Sequence, residues 1–160
     1  MRHVLFLCTG NSCRSILAEA VFNHMAPQNW RAVSAGSYPA GYVHPGTIAV
    51  LQRHHIDIKG LSSKSWDELE TTPDIVITVC ASAAGETCPA YLGKALGGHW
   101  GLNDPAKATG SEEEVIAVFE ETFSQLDQGI TFFLQHPINE LSDEELQHLI
   151  DIAGQRFFKL

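Results

Sequence analysis

Short apolar runs alternate with helical stripes along this chain. Val4-Leu5-Phe6-Leu7 is continuously apolar, the signature of a strand buried on both faces. From Ile16 to Met25 the apolar positions Leu17, Ala20, Val21 and Met25 recur at helical spacing, and Pro27 closes that helix. Trp30–Ser34 predicts a second strand ended by Ala35-Gly36. Pro45, suited to a first helical turn, opens a helix to about Arg53. Leu61–Leu69 reads as a loop with a short helix, capped by Ser63 or Ser65. Asp74–Val79 is the clearest β signal, rich in branched residues, and it ends on Cys80. A long loop is predicted from Ala81 to Gly98, then a short strand at His99-Trp100-Gly101-Leu102.

Two helices follow. Ser111 with Glu114 forms a capping box ahead of the stripe Val115, Phe119, Phe123, Leu126, Ile130 and Phe133. Ser142 with Glu145 forms another, ahead of Leu146, Leu149, Ile150 and Ala153. Strands alternating with helices predict an α/β domain over residues 1–160. Its expected form is a three-layer, open, mainly parallel four-stranded sheet with helices on both faces. Residues 136–160 are expected to be a C-terminal helical extension that covers apolar surface or joins a subunit interface. In such sheets ligands sit beyond the carboxyl ends of the strands. The Cys8 loop, Cys80 and the Asp104 loop should therefore face one crevice.

Composition narrows the function classes. A net charge of −9 argues against nucleic acid as a partner and means that any anion site must be built locally. The apolar runs are far shorter than the ~20 residues that span a bilayer, and no long apolar leader opens the chain, so no membrane partner and a cytoplasmic location are expected. Four cysteines in such a chain read as catalytic or redox groups rather than as a disulfide framework.

The stretch Cys8-Thr9-Gly10-Asn11-Ser12-Cys13-Arg14-Ser15 joins the first strand to the first helix. Small residues at a helix N-terminus present successive N–H groups as a concave anion nest, and Arg14 can grip two oxygens through its planar fork. This positive field is expected to lower the pKa of Cys8 and hold it as a thiolate nucleophile. Asp104, stiffened by Pro105, can act as general acid on a departing oxygen. Alone, Asp-Pro is more often a plain turn; beside the Cys8–Arg14 loop the acid reading is favoured. Cys80 and Cys88 lack the spacing of a two-residue redox motif or a zinc site, so no metal is expected. Their loop would let two thiols approach each other and one reach Cys8, as thiol–disulfide exchange requires. Cys80 as a merely buried strand-end residue is the alternative. Cys13 is read as a small side chain packed beneath the anion site. Trp30 and Trp66 are read as packing residues, and His54 and His55 as surface groups.

These residues, with Asp104-Pro105, resemble the low-molecular-weight tyrosine phosphatase superfamily, and within it the thioredoxin-coupled arsenate reductases. The resemblance covers roughly residues 1–134. Thr9 and Ser12 in the loop, the run His99-Trp100-Gly101 before Asp104-Pro105-Ala106, and Cys80 with Cys88 choose the reductase branch. The resemblance implies that arsenate, with phosphate or sulfate as competing oxyanions, binds the loop Thr9–Cys13 with Arg14. It further implies that Cys8 attacks arsenic, Asp104 protonates the leaving oxygen, and Ser15 stabilises the Cys8 thiolate. Cys80 then forms a disulfide with Cys8, and Cys88 one with Cys80 that thioredoxin reduces, or glutaredoxin by a competing route. No bound cofactor is implied. Asn11, Glu19 and Ser34 match positions that in some members hold a potassium ion beneath the loop. Lys64 stands where those members have an aspartate, so no potassium activation is expected. The alternatives are a tyrosine phosphatase using Cys8, Arg14 and Asp104 alone, and an oxyanion sensor without catalysis.

Overall fold

The structure, a computed structural model, describes residues 1–80 and 95–158. Four strands form one parallel sheet: β1 (Arg2–Leu7), β2 (Trp30–Ala35), β3 (Ile75–Thr78) and β4 (Leu96–His99), in the order β2-β1-β3-β4. Four helices accompany them among the described residues: α1 (Arg14–Met25), α2 (Pro45–Arg53), α3 (Glu112–Leu134) and α4 (Asp143–Phe157). Short 3-10 turns occupy Trp66–Glu68 and Pro105–Lys107. Ser65, of the two expected candidates, caps the first of these turns, accepting from the Asp67 N–H. Both capping boxes form, Ser111 with Glu114 and Ser142 with Glu145, and fix where α3 and α4 begin.

The register explains which side chains are buried. Phe6 lies opposite Ser34 on β2 and Ile77 on β3, and Ile77 opposite Gly98 on β4. On this row Phe6 meets Phe22 of α1 edge-on and Trp100 at a tilt, both with ring centroids 6.0 Å apart. Phe133 of α3 closes the cluster against Phe22, Trp30 and Trp100. The expected stripes are the buried faces of α3 and α4, so their aromatic and aliphatic residues are core.

The last strand differs from its expected place. It runs over Leu96–His99 rather than His99–Leu102, because two glycines let α4 lie directly on the strand. A Cβ at Gly98 would come within 2.3 Å of Ile150 Cγ2. Residues Trp100 and Leu102 continue only as hydrogen-bonded extensions, their N–H groups donating to Thr78 O and Val79 O. Helix α4 packs on β4 and α3, burying Leu146, Leu149, Ile150 and Ala153 and accepting the Trp100 indole N–H at Ile150 O, 3.1 Å. Phe158 stacks on Trp100 at 5.1 Å. The C-terminal extension is thus a helix covering apolar surface. No helix among the described residues is long and apolar enough to cross a membrane.

Candidate active site

Cys8 leaves the carboxyl end of β1 at the centre of the sheet, and Val79-Cys80 leaves β3 beside it, with the Val79 N–H donating to Leu7 O. Both sulfurs are buried, Cys8 being 4% and Cys80 2% exposed. Parallel pairing of adjacent strands makes these two chain ends neighbours and brings the two thiols close together. Thr9 strengthens the meeting point. Its N–H donates to Cys80 Sγ at 3.4 Å, and its hydroxyl lies 3.7 Å from the same sulfur.

The loop from Thr9 to Cys13 is held with its carbonyls turned outward. Thr9 O accepts from the Tyr38 N–H, Gly10 O from the Ala40 N–H and Ser63 hydroxyl, and Ser12 O from the His44 N–H and Thr47 hydroxyl. A strap of residues 38–44 therefore fixes the loop from behind. Among the described residues the amides of Asn11 through Ser15 donate to no backbone carbonyl. That combination is what an anion nest at a helix N-terminus requires. Gly36 lets β2 pass beneath, since a Cβ there would meet Cys8 O at 2.5 Å and Thr9 O at 2.4 Å. The strap and Gly36 are absent from the sequence-derived site; the Pro39–Gly41 punctuation marks a loop but does not show what it fastens.

Asn11 takes a left-handed backbone, φ 45°, and its amide group fastens that conformation. Nδ2 donates to Ser15 Oγ at 2.8 Å and to Ser34 Oγ at 3.0 Å, while Oδ1 accepts the Lys64 N–H at 2.8 Å. Ser34 in turn donates to Glu19 Oε1 at 2.6 Å, and Lys64 Nζ lies 3.8 Å from that oxygen. Burial holds the Glu19 carboxyl above the usual carboxylate range, with Ser34 and Lys64 partly offsetting it. The expected support set Asn11, Glu19, Ser34 and Lys64 is thus one connected network. Its polar atoms do not suit a potassium ion as well, because the Lys64 ammonium already faces Glu19 and also donates to Ser62 O at 2.9 Å.

Arg14 opens α1 and reaches the opposite rim. Nη1 donates to Leu102 O at 3.1 Å, and Nη2 lies 3.5 Å from Asp104 Oδ2. Its Nε is buried with no hydrogen-bond partner among the described residues. Asp104 also caps the turn that follows, Oδ1 accepting the Ala106 N–H at 3.0 Å. Nucleophile loop, guanidinium and carboxylate therefore converge, as expected from the strand-end rule. The expected ionisation of Cys8 does not hold in this arrangement. Its hydrogen bond with Cys80 and its burial push the thiol well above the ordinary cysteine range, and they outweigh Arg14 and the Gly10 N–H, which act to lower it. Cys13 Sγ sits 3.9 Å from Ser12 Oγ and is raised chiefly by burial; its side chain lies with the buried core. Cys88 lies outside the described residues.

Comparison with known proteins adds four findings. Residues 3–147 match the family described as low molecular weight phosphotyrosine protein phosphatase, a match that stops inside α4. An arsenate reductase of Halalkalibacterium halodurans is 38% identical over 133 residues, 82% of this chain and 94% of that protein. A solved arsenate reductase in a phosphate-binding state superposes with a TM-score of 0.65 at 28% identity, covering 82% of this chain and 98% of that one. A thioredoxin-dependent arsenate reductase of Corynebacterium glutamicum does so with 0.56 at 29% identity, covering 82% and 62%.

Proposed function

The chain belongs to the low molecular weight phosphotyrosine protein phosphatase family, and from that premise we propose that it reduces arsenate to arsenite through a relay of three cysteines. The observation that carries this reading is the placement of Cys80 beside Cys8 at the mouth of the loop, where Thr9 holds its sulfur. A phosphatase needs the first sulfur and has no use for the second.

Arsenate enters the nest of loop N–H groups and engages Arg14, whose buried Nε has no partner among the described residues. Loss of the Cys8 proton gives the nucleophile, which attacks arsenic as Asp104 protonates the departing oxygen and water leaves. Ser15, fixed by Asn11, supports the Cys8 thiolate. The Cys80 thiolate, which Thr9 steadies through two polar groups, then attacks Cys8 Sγ. The sulfur–arsenic electron pair stays with arsenic, arsenite departs, and a Cys8–Cys80 disulfide remains. Cys88 attacks Cys80, frees Cys8, and leaves a Cys80–Cys88 disulfide for thioredoxin. The electrons come from thiols, so this route uses no resident cofactor.

The test is turnover. Reduced protein with thioredoxin, thioredoxin reductase and NADPH should form arsenite continuously, and Cys80→Ser should abolish it. Fast aryl-phosphate hydrolysis, unaffected by Cys80→Ser and without arsenite, would support the phosphatase reading. A glutaredoxin system that turns over while thioredoxin does not would replace only the reductant. Lys64 supplies a fixed positive charge beside Glu19, so potassium added at constant ionic strength should leave the rate unchanged. A marked rise on adding potassium would contradict that role.

A further inference from the structure

The strap that holds the anion loop runs into the first turn of α2, and one side chain joins the two. The backbone N–H of His44 and the hydroxyl of Thr47 both donate to Ser12 O, at 3.1 and 3.0 Å. That carbonyl belongs to the same planar, trans peptide as the Cys13 N–H, so the two groups point in opposite directions. Pinning the carbonyl outward therefore aims the Cys13 N–H into the nest. His44 is also the N-cap of α2. Its ring Nδ1 accepts the Gly46 N–H at 3.0 Å, and its carbonyl accepts from Thr47 and Ile48. Accepting at Nδ1 requires the neutral ring with its proton on Nε2. Phe119 of α3 lies against this corner, its ring centroid 5.2 Å from that of His44, and a Cβ at Gly46 would come within 2.5 Å of it.

We propose that His44 is a positioning residue that makes the grip of the loop on an oxyanion depend on pH, tight with the ring neutral and weaker once it is protonated. An imidazolium is a donor at both nitrogens. It gives up the Gly46 bond and adds a positive charge at the positive end of the α2 dipole. With that turn unfastened, His44 and Thr47 hold the Ser12 peptide less firmly, and the Cys13 N–H loses its aim. The ring makes no ion pair among the described residues. The titratable groups on the elements around it are Cys13 and Arg14 from the loop and α1, with Asp104 acting on Cys13 from the facing turn. Tyr38 and Tyr42 stand on the strap and Glu112–Glu114 open α3, while Arg53 of α2 and Glu120 of α3 are paired with each other. Asparagine at this place would cap the helix without titrating. The inference rests on the loop's being an oxyanion site and involves no arsenic.

The experiment uses the full chain, reduced and nitrogen-labelled, with sulfate as the probe because it stays a dianion throughout the range. Amide spectra give the sulfate Kd from about pH 8 to about pH 5.5, on either side of the ordinary histidine titration. In sulfate-free protein they follow the Cys13 amide. As pH falls, wild type should lose up to about fivefold more affinity than His44→Asn, the usual worth of an N-cap bond. Its Cys13 amide should shift over the same interval. His44→Asn should keep the wild-type affinity at the alkaline end and show neither change. His44→Ala should bind weakly across the range. Equal pH slopes in wild type and His44→Asn would overturn the proposal, as would affinity that rises in acid in wild type alone, or wild-type affinity in His44→Ala at every pH. If sulfate does not bind but the Cys13 amide still titrates in wild type alone, the oxyanion reading falls and the positioning role stands. Sulfate binding that follows His44, with no arsenite formed from arsenate, would overturn the proposed substrate only.

Discussion

At the residue scale the site turns on what Cys80 does to Cys8. A buried thiol that shares a hydrogen bond with a second thiol gives up its proton reluctantly, whatever the nearby guanidinium offers. Replacing Cys80 by Ala removes the largest of the effects that raise Cys8. The midpoint of Cys8 alkylation by iodoacetamide should therefore move to lower pH, and a move to higher pH would contradict the assignment. Arg14→Lys keeps the charge but loses the fork that bonds Leu102 O and pairs with Asp104. By the usual worth of one oxyanion donor it should lower turnover about 10²-fold or more. The types and positions of Cys8, Arg14 and Asp104 were readable along the chain, because Cys8 directly follows a strand, Arg14 stands at the start of the next helix, and Asp104 precedes a proline in the loop after the last strand. The Cys8–Cys80 contact was readable as proximity, but its effect on the Cys8 proton was not. That sign depends on burial and on a single hydrogen bond, which spacing does not encode.

At the scale of elements, the expected α1, β1, β2 and β3 lie where their apolar patterns place them. Strand β4 was hidden because two of its four residues, Gly97 and Gly98, carry no side chain to make a pattern. Their use becomes visible only when α4 arrives and fills the space that side chains would take. Gly98→Val would drive a side chain into Ile150, and overpacking of this kind costs roughly 1–3 kcal/mol. Chemical denaturation should report that loss, whereas Gly41→Ala, with open space around it, should be felt only through its left-handed backbone. The strap over residues 38–44 was equally hidden, since it acts by backbone N–H groups that any residue but proline supplies.

At the scale of the whole molecule, a chain with net charge −9 offers an anion local groups alone, and the sheet centre is where those groups are gathered. A charge cluster elsewhere sets part of the acid response. Arg53 and His54 at the end of α2 meet Glu120 of α3 at 2.8 and 2.7 Å, and His54 stacks on Phe123. Desolvation acts to raise the Glu120 carboxyl, and the bonds from His54 and Arg53 outweigh it and lower it. A lowered carboxyl contributes stability above its unfolded pKa and loses it as pH falls through the folded one. Being largely exposed, the pair is worth little. His54→Ala with Arg53→Ala should thus reduce stability near neutrality slightly and flatten its fall in acid; an unchanged acid limb would contradict the linkage.

The relay itself is tested most directly by a single turnover in the Cys88→Ser protein. Reduced, oxygen-free protein is mixed with one equivalent of arsenate, quenched by alkylation, and assayed for arsenite and for disulfides. The account predicts one arsenite per chain together with a Cys8–Cys80 disulfide, with Cys13 alkylated. Arsenite formed while Cys80 remains alkylated, or both thiols intact and arsenate unreduced, would contradict it.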